Sequence, residues 1–150
     1  MVLVLEVKSR SGKYEVVVGE NSRSLIDNYQ FGIIDQQLVS QNIVRGTGLW
    51  RLESSEILKT LGSVEMLLSD ADSRGMNKNH TPVAVGGGLI QDVATLGYSI
   101  YMRGVNWDFF PTTLMAMVDS CIGGKSSINL GKQKNRLGNF HPPKKIFIDP

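Results

Sequence analysis

The sequence has a single cysteine, Cys121, among its 150 residues. One cysteine cannot form an internal disulfide, which is typical of proteins from a reducing compartment. With only two histidines besides, no ligand spacing typical of a metal site can be built. No apolar run approaches the roughly 18 residues that a membrane span needs, and no signal peptide is recognisable at the start. These absences predict a cytoplasmic protein.

An excess of charge of one sign is also missing. Sixteen basic residues stand against 14 acidic ones, and the formal net charge is +2. No run of five basic residues occurs, and the few tryptophans and tyrosines are scattered, so a nucleic-acid surface is not predicted. Hydrophobic residues make up 41% of the chain and charged residues 20%. This composition indicates one globular domain with a real core.

The first third of the chain predicts a β-hairpin, a short helix and a strand. The hairpin follows from alternating and β-branched residues on either side of the turn sequence SRSGK. The predicted elements are the hairpin strands 2–7 and 14–18, the helix 19–29 with Leu25 and Ile26 inward, and the strand 31–34. That strand ends at Asp35, and open α/β sheets place ligand contacts at the carboxyl ends of strands. The alternative is that Asp35 caps a turn or a helix.

Residues 54–72 show the clearest helical pattern. Apolar residues recur at intervals of three and four along one stripe, namely Ile57, Leu61, Val64, Leu68 and Ala71. Ser54 or Ser55 can cap this helix. Glu56 and Lys59 would share a face near its start, and a solvated ion pair is the simplest interpretation of them. The segment 36–51 before it shows no clear period.

A triple glycine, residues 86–88, joins a predicted strand to a predicted helix. Glycines at a helix N-terminus let an anionic ligand approach free backbone N–H groups. The match to the dinucleotide fingerprint G-x-G-x-x-G is partial, because Gln91 stands at the third glycine. Asp92 is the only charge between His80 and Arg103. It lies on a helix that is apolar on nearly all sides, so it is costly unless paired; the alternative is an aspartate favoured by the helix dipole.

Pro111, Thr112 and Thr113 are predicted to begin the helix that follows a strand at 105–110. Proline suits the first helical position. The two threonine hydroxyls can grip a polar ligand or simply cap the helix. The apolar residues of this helix are predicted to lie in the core: Leu114, Met115, Met117 and Val118.

The stretch DSCIGGKSSIN resembles the end of a P-loop motif. The first glycine of G-x-x-x-x-G-K-[ST] would have to be Asp119, and a helix rather than a strand precedes it, so a P-loop is excluded. Asp119 and Lys125 instead flank a glycine turn that can hold a polyol and an anion. Cys121 is predicted to be a small buried residue. A hairpin around GKQK and a last strand at 146–148 follow.

Seven motifs occur in the order GGGxxxD, YMRG, PTTLMAMVDS, GGK, IN, KN and GNF between residues 86 and 140. Together they resemble the 3-dehydroquinate synthase family of sugar-phosphate cyclases. A looser similarity extends back to Met1, with SSEILK at 54–59 similar to the family's Gly-Glu-x-x-Lys element. The resemblance implies an NAD-binding N-terminal domain over residues 1–150. It would be an α/β, Rossmann-like open sheet with an N-terminal β-hairpin, and the C-terminal helical metal-binding domain would be absent.

The resemblance also implies an activity. The family converts the seven-carbon sugar acid phosphate DAHP into 3-dehydroquinate and phosphate in the shikimate pathway of aromatic amino acid biosynthesis. NAD oxidises a ring hydroxyl transiently, and zinc polarises the oxygen that is oxidised. Because the family's zinc ligands lie in the C-terminal domain, the 150 residues alone are expected to be inactive. A homodimer is expected as well.

Two alternatives stay open. One is another sugar-phosphate cyclase, which acts on a sedoheptulose or glucose phosphate. The other is a non-catalytic protein that binds a nucleotide, or nothing, and works through association.

The resemblance assigns roles to individual positions. Those that match contacts to NAD are Asp35, Glu56, Lys59, Gly87, Gly88, Asp92, Thr112, Thr113 and Lys134. Those that match the positions holding the substrate are Asp119, Lys125 and Asn135. Arg103 matches an arginine that reaches the substrate phosphate of a neighbouring subunit, a task that suits its bidentate fork. Gln91 replaces a usual glycine and is expected to set its helix further from the strand or the pyrophosphate.

Overall fold

Strands alternate with helices through residues 32–111, an order that is typical of a parallel sheet with helices packed on it. The computed structural model describes residues 2–46 and 48–150. Met1, where the looser resemblance begins, and Thr47, within the segment without a clear period, lie outside the described residues.

The elements of the described residues follow in chain order. The strands are β1 (Leu3–Ser9), β2 (Gly12–Val18), β3 (Gly32–Asp35), β4 (Trp50–Leu52), β5 (Val83–Gly86), β6 (Asp108–Pro111), β7 (Ile128–Leu130), β8 (Gln133–Leu137) and β9 (Lys145–Ile148). The α-helices are α1 (Gln36–Ser40), α2 (Leu61–Ser73) and α3 (Gly88–Ile100). Short 3₁₀ helices cover Ser22–Asn28, Glu56–Leu58 and Tyr101–Arg103, and a π-helical turn covers Ala116–Ser120.

Within the described residues, seven strands form one open sheet in the order β1-β2-β9-β6-β5-β3-β4. The strands β1 and β2 pair antiparallel, and the other neighbouring pairs of this sheet are parallel. The strands β7 and β8 form a separate antiparallel hairpin. The predicted Rossmann-like open sheet with an N-terminal β-hairpin is therefore confirmed. Its parallel order brings the carboxyl ends of β3, β5 and β6 side by side at one edge.

The core lies on both faces of the sheet, with α3 as its central helix. Successive side chains of a strand point to opposite faces, and Ile33 and Ile34 of β3 are each fully buried in a different apolar cluster. The helix α3 is apolar nearly all round, as predicted, and its buried residues are Ile90, Gln91, Val93, Ala94, Thr95, Leu96, Gly97 and Tyr98. A Cβ on Gly97 would lie 3.5 Å from the side chains of Leu67 and Leu68. The glycine thus allows α2 to pack closely on α3.

The short elements before β4 differ in part from the prediction. Ile26 is buried as predicted, whereas Leu25 is exposed. The reason is that residues 22–28 form a 3₁₀ helix, in which adjacent side chains point a third of a turn apart. The segment without a period contains α1 and the start of β4, which form a minimal helix–strand unit.

The helix predicted at 54–72 begins later than expected. It starts at Leu61, and the Thr60 side chain caps it by accepting a hydrogen bond from the Ser63 N–H at 3.2 Å. The predicted capping by Ser54 or Ser55 is therefore wrong. Ile57 lies in the preceding 3₁₀ turn and is 83% exposed. Local periodicity failed here because Lys59 leaves the helical conformation, with ψ at 67°.

The prediction of a core helix from Pro111 is also wrong. Pro111 ends β6 and pairs with Gly86 of β5, so the helical segment starts three residues later, at Leu114. Its apolar side chains mostly face outward, with exposures of 74% for Leu114, 70% for Met115 and 67% for Val118. A π-helical turn is wider than an α-helical one, and Ala116 is the residue of this turn that is buried.

Cys121 is fully buried, as predicted, and its thiol donates a hydrogen bond to the Met117 carbonyl at 3.2 Å. Burial raises the pKa of this thiol to about 11. At pH 8 the thiolate would then be roughly one part in a thousand. We expect Ellman's reagent to label Cys121 at least about 100-fold more slowly in the folded chain than in denaturing urea. Equal rates in the two conditions would contradict the burial of this residue.

Candidate functional site

The candidate site lies where α3 begins, at the carboxyl edge of the sheet. The glycine turn after β5, the 3₁₀ turn at 56–58 and the β7–β8 hairpin meet there. These segments are distant in the sequence, and a network of polar side chains holds them together.

Asp92 is the centre of this network. Its Oδ2 lies 3.1 Å from the Lys59 Nζ, and its Oδ1 accepts a hydrogen bond from the Ser127 backbone N–H at 2.9 Å. The side chains of Lys59 and Asp92 are only 10% and 19% exposed. Burial raises the pKa of Asp92, and the ammonium of Lys59 and the N–H of Ser127 offset part of that rise. Asp92 is thus paired, and these interactions offset the free-energy cost that the sequence predicts for an unpaired buried aspartate.

Lys59 also joins the β7–β8 hairpin to the site. Its Nζ donates to the Asn135 Oδ1 at 2.7 Å. Asn135 has a φ of 55°, in the left-handed region that asparagine tolerates better than most residues. This backbone turn presents the amide of Asn135 to Lys59. The predicted ion pair of Glu56 with Lys59 is not among the ion pairs of residues 2–46 and 48–150, where Lys59 pairs with Asp92 instead.

Asn129 is a connecting residue that the sequence analysis did not single out. Its Nδ2 donates to the Glu56 Oε1 at 2.9 Å, and its Oδ1 accepts from the Asn135 N–H at 3.0 Å. The hydrogen bond from Asn129 lowers the pKa of Glu56. The IN motif contains Asn129, and it was the available signal for this role.

The glycine turn places the start of α3 against the segment after β6. A Cβ on Gly87 would lie 3.1 Å from the Thr113 Cγ2, and one on Gly88 would lie 3.6 Å from the Ser120 Oγ. The Thr113 Oγ1 accepts a hydrogen bond from the Ala116 N–H at 3.2 Å, so it caps the helical turn. Thr112 donates its N–H to the Gly86 carbonyl at 3.0 Å.

A cavity of about 370 Å³ opens between these segments. Its lining residues are Lys59, Gly88, Gln91, Asp92, Ser120, Lys125, Ser127 and Asn135. It therefore joins residues predicted to bind the cofactor with two residues predicted to hold the substrate. Lys59 balances the charge of Asp92, whereas Lys125 is in none of the ion pairs of residues 2–46 and 48–150. The cavity thus carries net positive charge and suits an anionic ligand with hydroxyl groups.

Three other predicted site residues, Asp35, Asp119 and Lys134, are not among those that line this cavity. Asp35 caps α1 by accepting from the Gln37 N–H at 3.0 Å, and it accepts from the Ser54 hydroxyl at 2.6 Å. Asp119 and Lys134 are exposed, and Lys134 contributes to the lowered pKa of Glu56. The capping alternative for Asp35 is thereby realised.

Arg103 lies beyond the C-terminal end of α3, the end remote from Asp92. It is exposed and has a φ of 66°. This placement leaves its predicted contact with a neighbouring subunit as a prediction.

A smaller cavity of about 130 Å³ lies beside α1 at the ends of β6 and β9. Leu38, Val44, Phe110 and Met117 give it apolar walls, and Thr112 reaches it from the segment after β6. A flat apolar group is the kind of ligand that fits such walls.

Over residues 2–46 and 48–150, no group of three or more histidine, cysteine, aspartate or glutamate side chains is placed to hold a metal ion. In the same part of the chain, no helix is long and apolar enough to cross a membrane.

The family of this chain follows from its similarity to known proteins. The family model described as 3-dehydroquinate synthase N-terminal matches residues 49–150. The chain belongs to the 3-dehydroquinate synthase family. A 3-dehydroquinate synthase of Helicobacter pylori (strain G27) is 34% identical over 155 residues, covering 98% of this chain and 45% of that protein. One of Alkaliphilus metalliredigens (strain QYMF) is 44% identical over 98 residues, covering 65% of this chain and 28% of that protein. The chain spans less than half the length of these relatives.

Solved structures of sugar-phosphate cyclases have the same fold as this member of the 3-dehydroquinate synthase family. A 2-deoxy-scyllo-inosose synthase matches with a TM-score of 0.86 and 26% identity, covering 98% of this chain and 47% of its own. The 2-epi-5-epi-valiolone synthase of Streptomyces hygroscopicus subsp. jinggangensis 5008, with NAD+ and Zn2+ bound, matches with a TM-score of 0.82 and 28% identity. In that case 99% of this chain and 45% of the other are covered. The predicted family and fold are confirmed.

Proposed function

We propose that this chain is the NAD-binding N-terminal part of a 3-dehydroquinate synthase, which converts DAHP into 3-dehydroquinate and phosphate. The observation that carries the proposal is the 370 Å³ cavity, where Lys59 and Asp92 meet Lys125 and Asn135. The first two belong to the motifs assigned to NAD, and the last two to the motifs assigned to the substrate. One cavity that holds both sets suits a reaction in which cofactor and substrate touch. The single cysteine supports a cytoplasmic location.

The cofactor would lie across the carboxyl edge of the sheet. The helix α3 has 13 residues, and the free N–H groups at its glycine turn suit the pyrophosphate. Asp92, Glu56 and Asp35 would accept hydrogen bonds from cofactor hydroxyl or amide groups, and Thr112, Thr113 and Lys134 would add donors. The apolar cavity beside α1 would take the adenine. NAD, when bound, supplies the transient removal and return of a hydride.

The substrate would occupy the part of the cavity nearest Lys125. Its ammonium suits a phosphate or carboxylate, and the amide of Asn135 suits a hydroxyl. Asp119 would reach the substrate from the π-helical turn, and Arg103 would reach the substrate of a second subunit in a homodimer.

We expect the 150 residues alone to be inactive, because they span less than half of their relatives' length and the resemblance places the zinc ligands in the other part of the enzyme. A structural relative carries NAD+ and Zn2+, and another carries NAD+ and Co2+, so a divalent metal would come from residues outside this chain. The exposed side chains of Leu114, Met115 and Val118 would pack against that remaining part of the enzyme. An apolar face of this kind is rarely left open in a working protein.

A second candidate is another sugar-phosphate cyclase. The observation that favours it is the likeness of the fold to 2-deoxy-scyllo-inosose synthase and to the valiolone synthase. A complete enzyme that releases phosphate from glucose 6-phosphate or sedoheptulose 7-phosphate, and not from DAHP, would favour this candidate.

The proposal is tested by calorimetric titration of the chain with NAD+. We expect the chain to bind, and Asp92→Ala to weaken binding at least about 10-fold, since an aspartate gives a charge-assisted hydrogen bond. Asp70→Ala is the matched control, because it removes an aspartate from an exposed ion pair on α2, and its affinity should equal that of the parent chain. The chain alone, given DAHP, NAD+ and zinc, should release no phosphate. Failure of the parent chain to bind NAD+ would overturn the proposal in favour of a non-catalytic association module.

A further inference from the structure

Gln91 is a buried polar residue for which the proposed function has no use. It lies on α3, next to Asp92, and is 1% exposed. Its Nε2 donates a hydrogen bond to the backbone carbonyl of Ser120 in the π-helical turn. A carbonyl can only accept, so this contact fixes which end of the amide is which. The Oε1 must therefore point away from that carbonyl.

The Oε1 of Gln91 is an acceptor without a donor. Among the described residues, no N–H or O–H group donates a hydrogen bond to it, although the atom is buried. The Ser120 Oγ is in the same state, and both residues line the 370 Å³ cavity beside Asp92 and Lys125. Buried polar atoms in folded proteins nearly always have partners. The two unpartnered polar atoms belong to residues that line the same cavity, and an occupant that reaches them would supply the missing hydrogen bonds.

Thr95 provides the internal comparison. It lies one turn further along α3, is fully buried, and its hydroxyl also lacks a partner in the described part of the chain. Unlike Gln91, it is not among the residues that line the cavity. A substitution at Thr95 therefore alters a buried, unpartnered polar group on the same helix without altering the cavity.

We propose that Gln91 is a specificity-determining residue. Its Oε1 would accept a hydrogen bond from a hydroxyl or amide N–H of the molecule in the cavity. The inference rests on the proposed function, since that molecule would be NAD+ or the sugar phosphate. The tether to Ser120 orients the acceptor before the ligand arrives, so little ordering remains to be done on binding. Gln91 would thereby discriminate between ligands that carry a donor at this point and ligands that lack one.

The experiment compares the parent chain with Gln91→Met and Thr95→Val by calorimetry. Methionine keeps the length and volume of glutamine but removes the amide. The probes are NAD+, its 3-acetylpyridine analogue, in which a methyl group replaces the amide NH₂, and DAHP added to chain saturated with NAD+. Melting curves establish that each variant is folded. If Gln91→Met does not fold, Gln91→Gly takes its place, since it also removes the amide and adds no bulk.

We expect Gln91→Met to weaken at least one probe about 10-fold, the usual effect of one lost hydrogen bond, and Thr95→Val to weaken none. If NAD+ is weakened and the analogue is not, the donor is the nicotinamide amide. If both dinucleotides are weakened, it is a ribose hydroxyl, and if DAHP alone is weakened, it is a substrate hydroxyl. If Gln91→Met binds all three like the parent, the inference is overturned while the proposed function stands. If the parent binds neither NAD+ nor DAHP, both fall together.

Discussion

Lys59→Met is expected to lower the free energy of unfolding by about 3 kcal/mol at pH 7, because it leaves the Asp92 carboxylate buried without its cation. The two side chains are 10% and 19% exposed, and their charged atoms lie 3.1 Å apart. Methionine retains the apolar length of the lysine stem, so the loss reports the charge rather than the packing. Urea denaturation with an unchanged m-value measures it.

The destabilisation by Lys59→Met should shrink as the pH falls. Burial already raises the pKa of Asp92, and Lys59 is the largest of the interactions that oppose the rise. Removal of Lys59 raises the pKa of Asp92 further. A carboxyl whose pKa is higher in the folded than in the unfolded chain favours folding at low pH, and this contribution is lost as the pH rises through the folded-state pKa. The variant should therefore approach the parent near the ordinary pKa of aspartate, about 4.

Two controls make the ion-pair prediction specific. Lys59→Met combined with Asp92→Asn removes both charges and should recover most of the stability, since no charge is left unpaired. Asp70→Asn breaks an exposed ion pair with Arg74 and should cost less than about 1 kcal/mol. A double variant as unstable as Lys59→Met would mean that the uncompensated carboxylate is not the cause.

Gly124→Ala is expected to destabilise the chain by about 3 to 4 kcal/mol. Gly124 has a φ of 62°, which costs a residue with a Cβ about 1–2 kcal/mol. The added Cβ would also lie 2.5 Å from the backbone nitrogen of Pro142 and closer still to its Cα. A backbone cannot rotate aside as a side chain can, so overpacking adds about 1–3 kcal/mol. Since Lys125 follows directly, NAD+ or DAHP binding should fall as well.

Gly123→Ala is the matched control for this clash. Gly123 has a φ of 94°, but a Cβ there would meet no atom within 4 Å. It therefore carries the backbone cost without the contact, and about 1–2 kcal/mol is expected. If the two alanine variants lose the same free energy of unfolding, Pro142 does not constrain the turn at Gly123 and Gly124.

Local patterns predicted the strands well and the helix ends poorly. Alternating and β-branched runs located β1, β2, β3 and β9, because the period of a strand and the residues that favour it are properties of a few neighbours. The start of α2 was missed by several residues, because Lys59 turns out of the helix to reach Asp92. That interaction spans 33 positions, and no local window contains it.

The outward-facing helix after β6 shows a second limit. Leu114, Met115 and Val118 have the residue types of a core, yet they are exposed. Residue type indicates whether a side chain favours burial. Its actual exposure depends on whether another part of the fold packs against it. The sequence could not indicate this, since the exposed face depends on the end of β6 at Pro111 and on the wide turn at 116–120.

The sequence by itself determined the family and the chemical types of the candidate site residues, because motif order and the triple glycine are carried by neighbouring residues. The tertiary structure alone decided which of these residues meet. It joined Lys59 to Asp92 and Asn135, left Asp35 as the cap of α1, and turned the amide of Gln91 toward the π-helical turn. The physical reason is that pairing depends on the parallel order of the strands and on the docking of the β7–β8 hairpin. Both are long-range contacts, which spacing along the chain does not encode.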